Sequence, residues 1–270
     1  MPFDGYLPGG ADSANFLQAM LSDGSGGVVA PAAIIVETVQ GEGGLNAARP
    51  EWIRRIARIA KKHGAHLIVD DIQAGVGRTG TFFPFEEMGV SPDIVTMAKS
   101  LSGFGLPMAL VLVRLEHDVF GPAEHNGTFR GDTHAFVIAR VAIENFWADD
   151  SVQRDLGHKA VMLTTGLKEV ADVVPRAKLK CRGLMQGVVV VSGDLAAEIC
   201  AWAHDKGLVI ETSGNEDQVV KVLAPLATPV ETFRKGFNIP LDATRAASPS
   251  SMRVPNTGSS TRTTSRASIA

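Results

Sequence analysis

The sequence predicts an α/β fold: a parallel-rich sheet flanked by helices, followed by a smaller α+β region. Two observations carry this reading. Short apolar, β-branched runs alternate with segments of helical period, and several of those runs end abruptly in polar residues. With 45% hydrophobic and 20% charged residues over 270 positions, the chain can also bury a sizeable core.

In chain order, residues 1–29 are turn-rich, with one short helix expected near Ser13 to Ser22. The run Ala32 to Val39 (AAIIVETV) reads as a buried strand, and a Gly-rich loop (Gln40 to Asn46) follows it. Pro50 opens a helix with Trp52, Ile53, Ile56, Ile59 and Ala60 at helical spacing. Lys61, Lys62 and Gly64 then close that helix in the way the dipole and the C-terminal turn prefer. Further strands are expected at His66 to Asp71, Asp93 to Ala98 and Met108 to Val113, and a helix at about His134 to Trp147. After Asp149 come a helix (Val152 to Val170), a strand (Gly187 to Val191), a helix (Leu195 to Lys206) and short strands (Leu208 to Glu211, Gln218 to Leu223). The expected organisation is therefore a large domain over 1–149, a small α+β domain over 150–240, and a disordered Ser/Thr/Arg-rich tail over 241–270.

Composition excludes some functions. Acids outnumber bases, 29 to 26, and no Lys/Arg block breaks the apolar pattern, so a nucleic-acid partner is not expected. No stretch reaches the ~18 apolar residues of a membrane span. Two cysteines are too few for a disulfide scaffold and fit a reducing cytoplasm. The seven histidines show no metal-binding spacing, so no metal is expected.

Ligands of open α/β sheets collect at the carboxyl ends of the strands. Polar clusters fall there: Glu37 with Glu42, Asp70 with Gln73, Lys99, and the loop around Thr128. Residues 75–80 read G-V-G-R-T-G, a literal dinucleotide fingerprint. That motif needs a helix to open at the loop and an acid ~20 residues on. Here Thr81-Phe82-Phe83-Pro84 is a poor helix start and the later position is Lys99, so the reading fails. Lys99 follows an apolar strand, and a lysine desolvated in a crevice has a lowered pKa and forms covalent adducts with carbonyl groups. Pyridoxal phosphate chemistry needs such a lysine together with a carboxylate facing the pyridine nitrogen. Asp70, directly after Leu67-Ile68-Val69, could supply that carboxylate; the alternative is a turn or capping acid.

Three segments carry a resemblance: AAIIVETVQGEGG (32–44), HLIVDDIQAGVGRTG (66–80) and DIVTMAKSLSGFGLPMA (93–109). Together they resemble the class III pyridoxal-phosphate aminotransferases, and the likeness covers roughly Ala32 to Leu226. The segments around Glu124 to Gly131 and Glu211 to Asp217 resemble one branch of that family. The resemblance implies a fold-type I enzyme, pyridoxal 5'-phosphate as cofactor, small-molecule amino donors and acceptors, and a homodimer or larger homo-oligomer. It implies that Lys99 carries the cofactor and moves the proton. Asp70 would pair with the ring nitrogen, Gln73 with the phenolic oxygen, and Thr128 with the phosphate, usually the partner subunit's. Glu37 would stand behind Asp70. Glu42 would be a gating acid paired with a C-terminal cation; the family usually has arginine there and this chain offers Lys221, which otherwise reads as a plain strand-edge lysine.

The chain departs from the family at both ends. It starts where members are already well into their large domain, upstream of which they carry a phosphate-binding Gly/Ser loop and a ring-stacking aromatic. The residues after about Pro240 look unlike the family's closing helix. Uncovered sheet edges and apolar faces are the expected consequence.

Overall fold

The computed structural model describes residues 1–246 except Gly26, Phe104 and Phe129. The first sheet runs in the order β1 (Ala33–Glu37), β2 (His66–Asp70), β3 (Ile94–Met97), β4 (Leu110–Val113). The first two pairs are parallel and β4 is antiparallel to β3. Each of the four strands expected here is present, one to two residues shorter at one or both ends.

Helix α1 (Ser13–Ser22) starts where the Asp12 carboxylate accepts from the Ala14 N–H. Helix α2 (Pro50–Lys62) has Pro50 in its first turn, where the missing N–H costs nothing. The apolar stripe of α2 (Trp52, Ile53, Ile56, Ile59) is buried with Ala14 and Leu17 of α1 and with Leu67 of β2. This packing fixes one face of the sheet; the Trp52 indole N–H is satisfied by the Ser13 hydroxyl at 2.9 Å. Helix α3 (Thr133–Phe146) is capped by Asp132, and α4 (Ser151–Val173) begins the C-terminal region.

The second sheet has the order β5-β6-β8-β7, every pair antiparallel, built from β5 (Lys178–Arg182), β6 (Met185–Val189), β7 (Glu211–Ser213) and β8 (Val219–Val222). Helices α4, α5 (Gly193–Asp205) and α6 (Val230–Ala246) pack with it around Leu163, Leu167, Leu184, Leu195, Ile199 and Phe233.

Three expectations for this region need correction. Strand β5 escapes the sequence reading because KLKCR alternates charged and apolar residues on a half-buried edge strand and lacks the apolar run of β2. The strand expected at 208–211 lies instead at Glu211–Ser213; Leu208 to Ile210 precede it, lining an apolar cavity. Residues 241–246, expected to be disordered, complete α6, with Leu241, Ala243 and Thr244 buried. The helix runs through Pro240, and the carbonyl of Pro240 accepts from the Thr244 hydroxyl at 2.7 Å. The rest of the expected tail, 247–270, lies outside the described residues.

The loop 75–80 joins the two sheets. No helix opens in it: Val76 and Gly77 N–H donate to the Phe82 and Thr81 carbonyls, closing a tight turn. The Arg78 guanidinium donates to the Ala224 carbonyl at 2.5 Å, and the Leu184 N–H donates to the Arg78 carbonyl at 2.8 Å. Burial pulls the Arg78 pKa down to about 10. The dinucleotide-like motif is thus a structural joint. Apolar surface is left open on the other side of the first sheet. Val111 of β4 and Phe136, Val137 and Val141 of α3 are exposed, as is Ile35 on edge strand β1.

Candidate active site

The parallel strands β1, β2 and β3 finish on one edge, and their register decides which side chains meet there. Glu37 is paired with Asp70 and Asp70 with Thr96. Register partners share a face, so these three side chains line one side of the sheet, while Thr38 and Asp71 turn to the other. Lys99 begins the 3-10 turn Lys99–Ser102, two residues beyond β3, with φ of 52°. A non-glycine residue in that left-handed region stores about 1–2 kcal/mol, which the surrounding turn must hold. The lysine is exposed on an open groove lined also by Met108, Leu110, His125, Arg130 and Phe136.

Electrostatics ties these groups together. Burial pushes the Glu37 carboxyl above its usual range. The Gly41 N–H at 3.2 Å opposes this, and the charges of Asp70 and Glu42 add to it. The Lys99 charge pulls Glu37 and Glu42 down, so it acts on this same edge. One Asp70 oxygen accepts from the Ile72 N–H at 3.1 Å, which fixes the carboxylate after the strand ends.

The loop after β1 brings in the second group of residues. Gln73 Nε2 donates to Glu42 Oε1 at 2.8 Å, and Lys221 Nζ donates to that same oxygen at 3.0 Å. These two bonds, the Gln73 one foremost, hold the Glu42 carboxyl below its usual range. Gly41 leaves room for this Gln73 conformer, because a Cβ at that position would sit 2.4 Å from Gln73 Cδ. The Ser213 hydroxyl donates to the Gly41 carbonyl at 2.9 Å and the Gly214 N–H to the Glu42 carbonyl at 3.1 Å, clamping the loop to the second sheet.

Lys221 is not an edge lysine. It lies in β8, hydrogen-bonded on both sides by β6 and β7, and its side chain is 0% exposed. Its ammonium pairs with Glu42 and with Glu211, each at 3.0 Å. Thr128 does not join the cluster: it is exposed in the loop ahead of α3, and among the described residues it has no hydrogen bond to the other predicted site residues.

Sequence reasoning missed Gly41, Glu211 and Asp71. The two Asp71 oxygens are buried without a hydrogen-bond partner among the described residues, as are the hydroxyls of Thr38 and Thr96. Burial, with Asp70 and Glu86 adding like charge, pushes the Asp71 carboxyl up to about 8. The doublet Asp70-Asp71 held the signal: at the end of a buried strand, period two sends one acid to each face.

Residues 16–243 match the family model for class-III aminotransferases, and the chain belongs to that family. Class III aminotransferases use pyridoxal phosphate. The chain is 47% identical to the diaminobutyrate–2-oxoglutarate transaminase of Virgibacillus pantothenticus over 241 residues, 88% of this chain and 58% of that protein. It is 48% identical to the enzyme of the same name from Vibrio cholerae, again over 88% of this chain and 58% of the relative. Among solved structures, the ornithine aminotransferase of Toxoplasma gondii superposes with a TM-score of 0.76 at 27% identity, covering 89% of this chain and 57% of that one. The chain therefore spans a little over half the length of these relatives. No helix among the described residues is long and apolar enough to cross a membrane.

The residues present fit the family's cofactor chemically. The strand edge offers an exposed amine, a carboxylate fixed by a backbone N–H, and the orphaned Thr96 hydroxyl on the same side of the sheet.

Proposed function

We propose that this protein transfers an amino group from L-glutamate to L-aspartate 4-semialdehyde, giving 2-oxoglutarate and L-2,4-diaminobutyrate, as in ectoine biosynthesis. The observation that supports it most is the meeting of Lys99, Asp70, Glu37, Gln73 and Glu42 on one strand edge, with Lys221 gripping Glu42. The substrate pair rests on the names of the relatives.

Pyridoxal phosphate, when bound, supplies an electron sink for the pair released when the substrate Cα–H bond breaks. Asp70 would hold the positive charge of the ring nitrogen, and Glu37, its register partner, stands behind it with a carboxyl that burial pushes above its usual range. Lys99 would anchor the cofactor and move the Cα proton. Gln73 would donate to the phenolic oxygen. Glu42 and Lys221 act on the dicarboxylate: the side-chain carboxylate of glutamate replaces Glu42 on the Lys221 ammonium, and a substrate without that carboxylate leaves the pair closed. Lysine does this as a point charge, without the bidentate fork of arginine. Thr128 serves the phosphate of a second subunit, which makes the working unit a homodimer or a larger homo-oligomer.

Supplying purified protein and pyridoxal phosphate with each donor in turn tests the reading. Glutamate with aspartate 4-semialdehyde should give 2-oxoglutarate. Turnover with ornithine or 4-aminobutyrate instead, and none with 2,4-diaminobutyrate in reverse, would overturn it.

A further inference from the structure

We propose that His66, Asp93 and His117 form a binding site for a divalent transition-metal cation of the zinc class. The site lies at the opposite edge of the first sheet from Lys99. His66 opens β2, Asp93 directly precedes β3, and His117 ends the 3-10 turn that follows β4. Because β4 is antiparallel, its C-terminal end returns to the edge where the parallel strands begin. The full length of β2, about 13 Å at a rise of about 3.3 Å per residue, separates this edge from Asp70. Sequence spacing could not show the set, because its members stand on three different elements and meet through strand order alone.

One ligand atom from each residue can be chosen so that all three lie within 4.8 Å of one another. His117 Nε2 is 3.3 Å from Asp93 Oδ1, and His66 Nδ1 is 4.0 Å from Asp93 Oδ2. Ligands of a tetrahedral zinc with bonds of about 2.0 Å stand about 3.3 Å apart, so small side-chain rotations close the site. The two rings already approach edge to face, 4.3 Å between centroids.

The frame around the set is rigid. The Asp93 N–H donates to the Leu67 carbonyl at 2.9 Å, and its carbonyl accepts from the Arg114 N–H at 3.1 Å. Its Oδ2 accepts from the Leu67 N–H at 2.8 Å, which orients the carboxylate as hydrogen bonds behind metal ligands do elsewhere. The His117 N–H donates to the Arg114 carbonyl at 2.9 Å.

The competing cation is Arg114, whose Nε lies 4.0 Å from Asp93 Oδ1. That guanidinium is already held by the Pro92 and Ser91 carbonyls at 2.9 and 3.1 Å. Arg54, Arg58 and Lys61 line the same groove. A positive rim of this kind disfavours weakly held hard cations and leaves imidazole ligation to supply the affinity, which selects zinc, nickel or copper over magnesium or calcium. Two neutral imidazoles, one carboxylate and a water complete a four-coordinate site. The metal would fasten the starting edges of β2 and β3 to the end of β4 and stabilise the native state by mass action.

The test uses the full chain, stripped with a chelator and dialysed against micromolar zinc chloride. Wild type should retain a single equivalent of zinc and melt at higher temperature with it. His66→Gln and His117→Gln should each weaken zinc binding at least about tenfold, since even outer-shell changes cost that much. Both rings are partly exposed, so the variants should melt like metal-free wild type. Cys181 and Cys200 are the other soft ligands, but burial pushes both thiols up to about 11 and keeps them protonated. A wild type that retains no zinc, or variants that retain as much as wild type, would overturn the site. Should a variant fail to fold, histidine acylation mapped on wild type decides. Zinc must protect His66 and His117 against the reagent; equal modification with and without zinc refutes the proposal.

Discussion

Lys221 allows two perturbations of one buried cation and its two acidic partners to be predicted with opposite outcomes. Its side chain is fully buried, whereas its partners Glu42 and Glu211 are 70% and 58% exposed. Desolvation therefore falls almost wholly on the cation. Lys221→Met keeps the length and packing of the side chain, removes the buried charge, and leaves two carboxylates that water can reach. Replacement of a buried ionic group by a hydrophobe of similar volume is often neutral or stabilising, so the expected change is no worse than about 1 kcal/mol of destabilisation. Glu42→Gln combined with Glu211→Gln does the reverse and leaves a buried cation without a countercharge. Stranding a buried charge costs about 3–5 kcal/mol. Because the amide oxygens still accept and the lost carboxylates were partly screened, the low end, about 3 kcal/mol, is expected. At a urea slope of about 3 kcal/mol per molar, the double variant should lose about 1 M in its unfolding midpoint while Lys221→Met barely moves. Equal losses in the two variants, or a larger loss for Lys221→Met, would show that the buried charge is a net source of stability and refute the reasoning.

Asp71→Asn should stabilise the protein increasingly as pH rises. With its folded pKa raised from 3.8 to about 8, Asp71 is protonated when folded and ionised when unfolded across that interval. Stability then falls by about 1.4 kcal/mol per pH unit from this group alone, and levels off above about pH 8. Melting temperature against pH for wild type and variant should diverge between pH 5 and 8; parallel curves would contradict the burial argument. Gly183→Ala should cost about 2–4 kcal/mol, measured by urea unfolding. Its φ is 63° and an added Cβ would lie 2.6 Å from the Arg78 carbonyl oxygen, so backbone must move to admit it. Gly41→Ala should cost less than about 1.5 kcal/mol in the same assay, since the obstruction is the flexible end of Gln73 and what is lost is that side chain's hydrogen bond to Glu42. In the proposed reaction Lys221→Met should raise the KM for glutamate about tenfold or more, the worth of one hydrogen bond to a charged group.

The first sheet was largely legible because its central strands, buried on one face and half-buried on the other, read as apolar runs. His66 to Asp70 and Ile94 to Met97 are of this kind. The site residues on those strands were legible for the same reason, since a polar residue ending such a run must sit at the sheet edge. Strand β5 and the end of α6 were not, because their residue types are those of surface segments and their burial depends on what packs over them. Leu241 and Thr244 are covered within the C-terminal helical layer, and no local pattern announces that. Lys221 shows the same limit in reverse: VVKV reads as a strand with an outward lysine, and only the β6-β8-β7 order makes it a buried cation. The Thr128 loop was read as a strand-end polar cluster and its phosphate role came from the resemblance, but its exposure leaves it apart from the other residues.

The central claim is that Lys99 is the lysine on which this strand edge is organised. The direct measurement incubates the purified chain with pyridoxal phosphate, reduces with borohydride and maps the labelled peptide, with Lys99→Ala beside it. Cofactor fixed on Lys99 in wild type, a visible absorption band in that protein, and neither in Lys99→Ala are the predicted result. Equal labelling of wild type and variant, or label on surface lysines with Lys99 unmodified, would contradict the account.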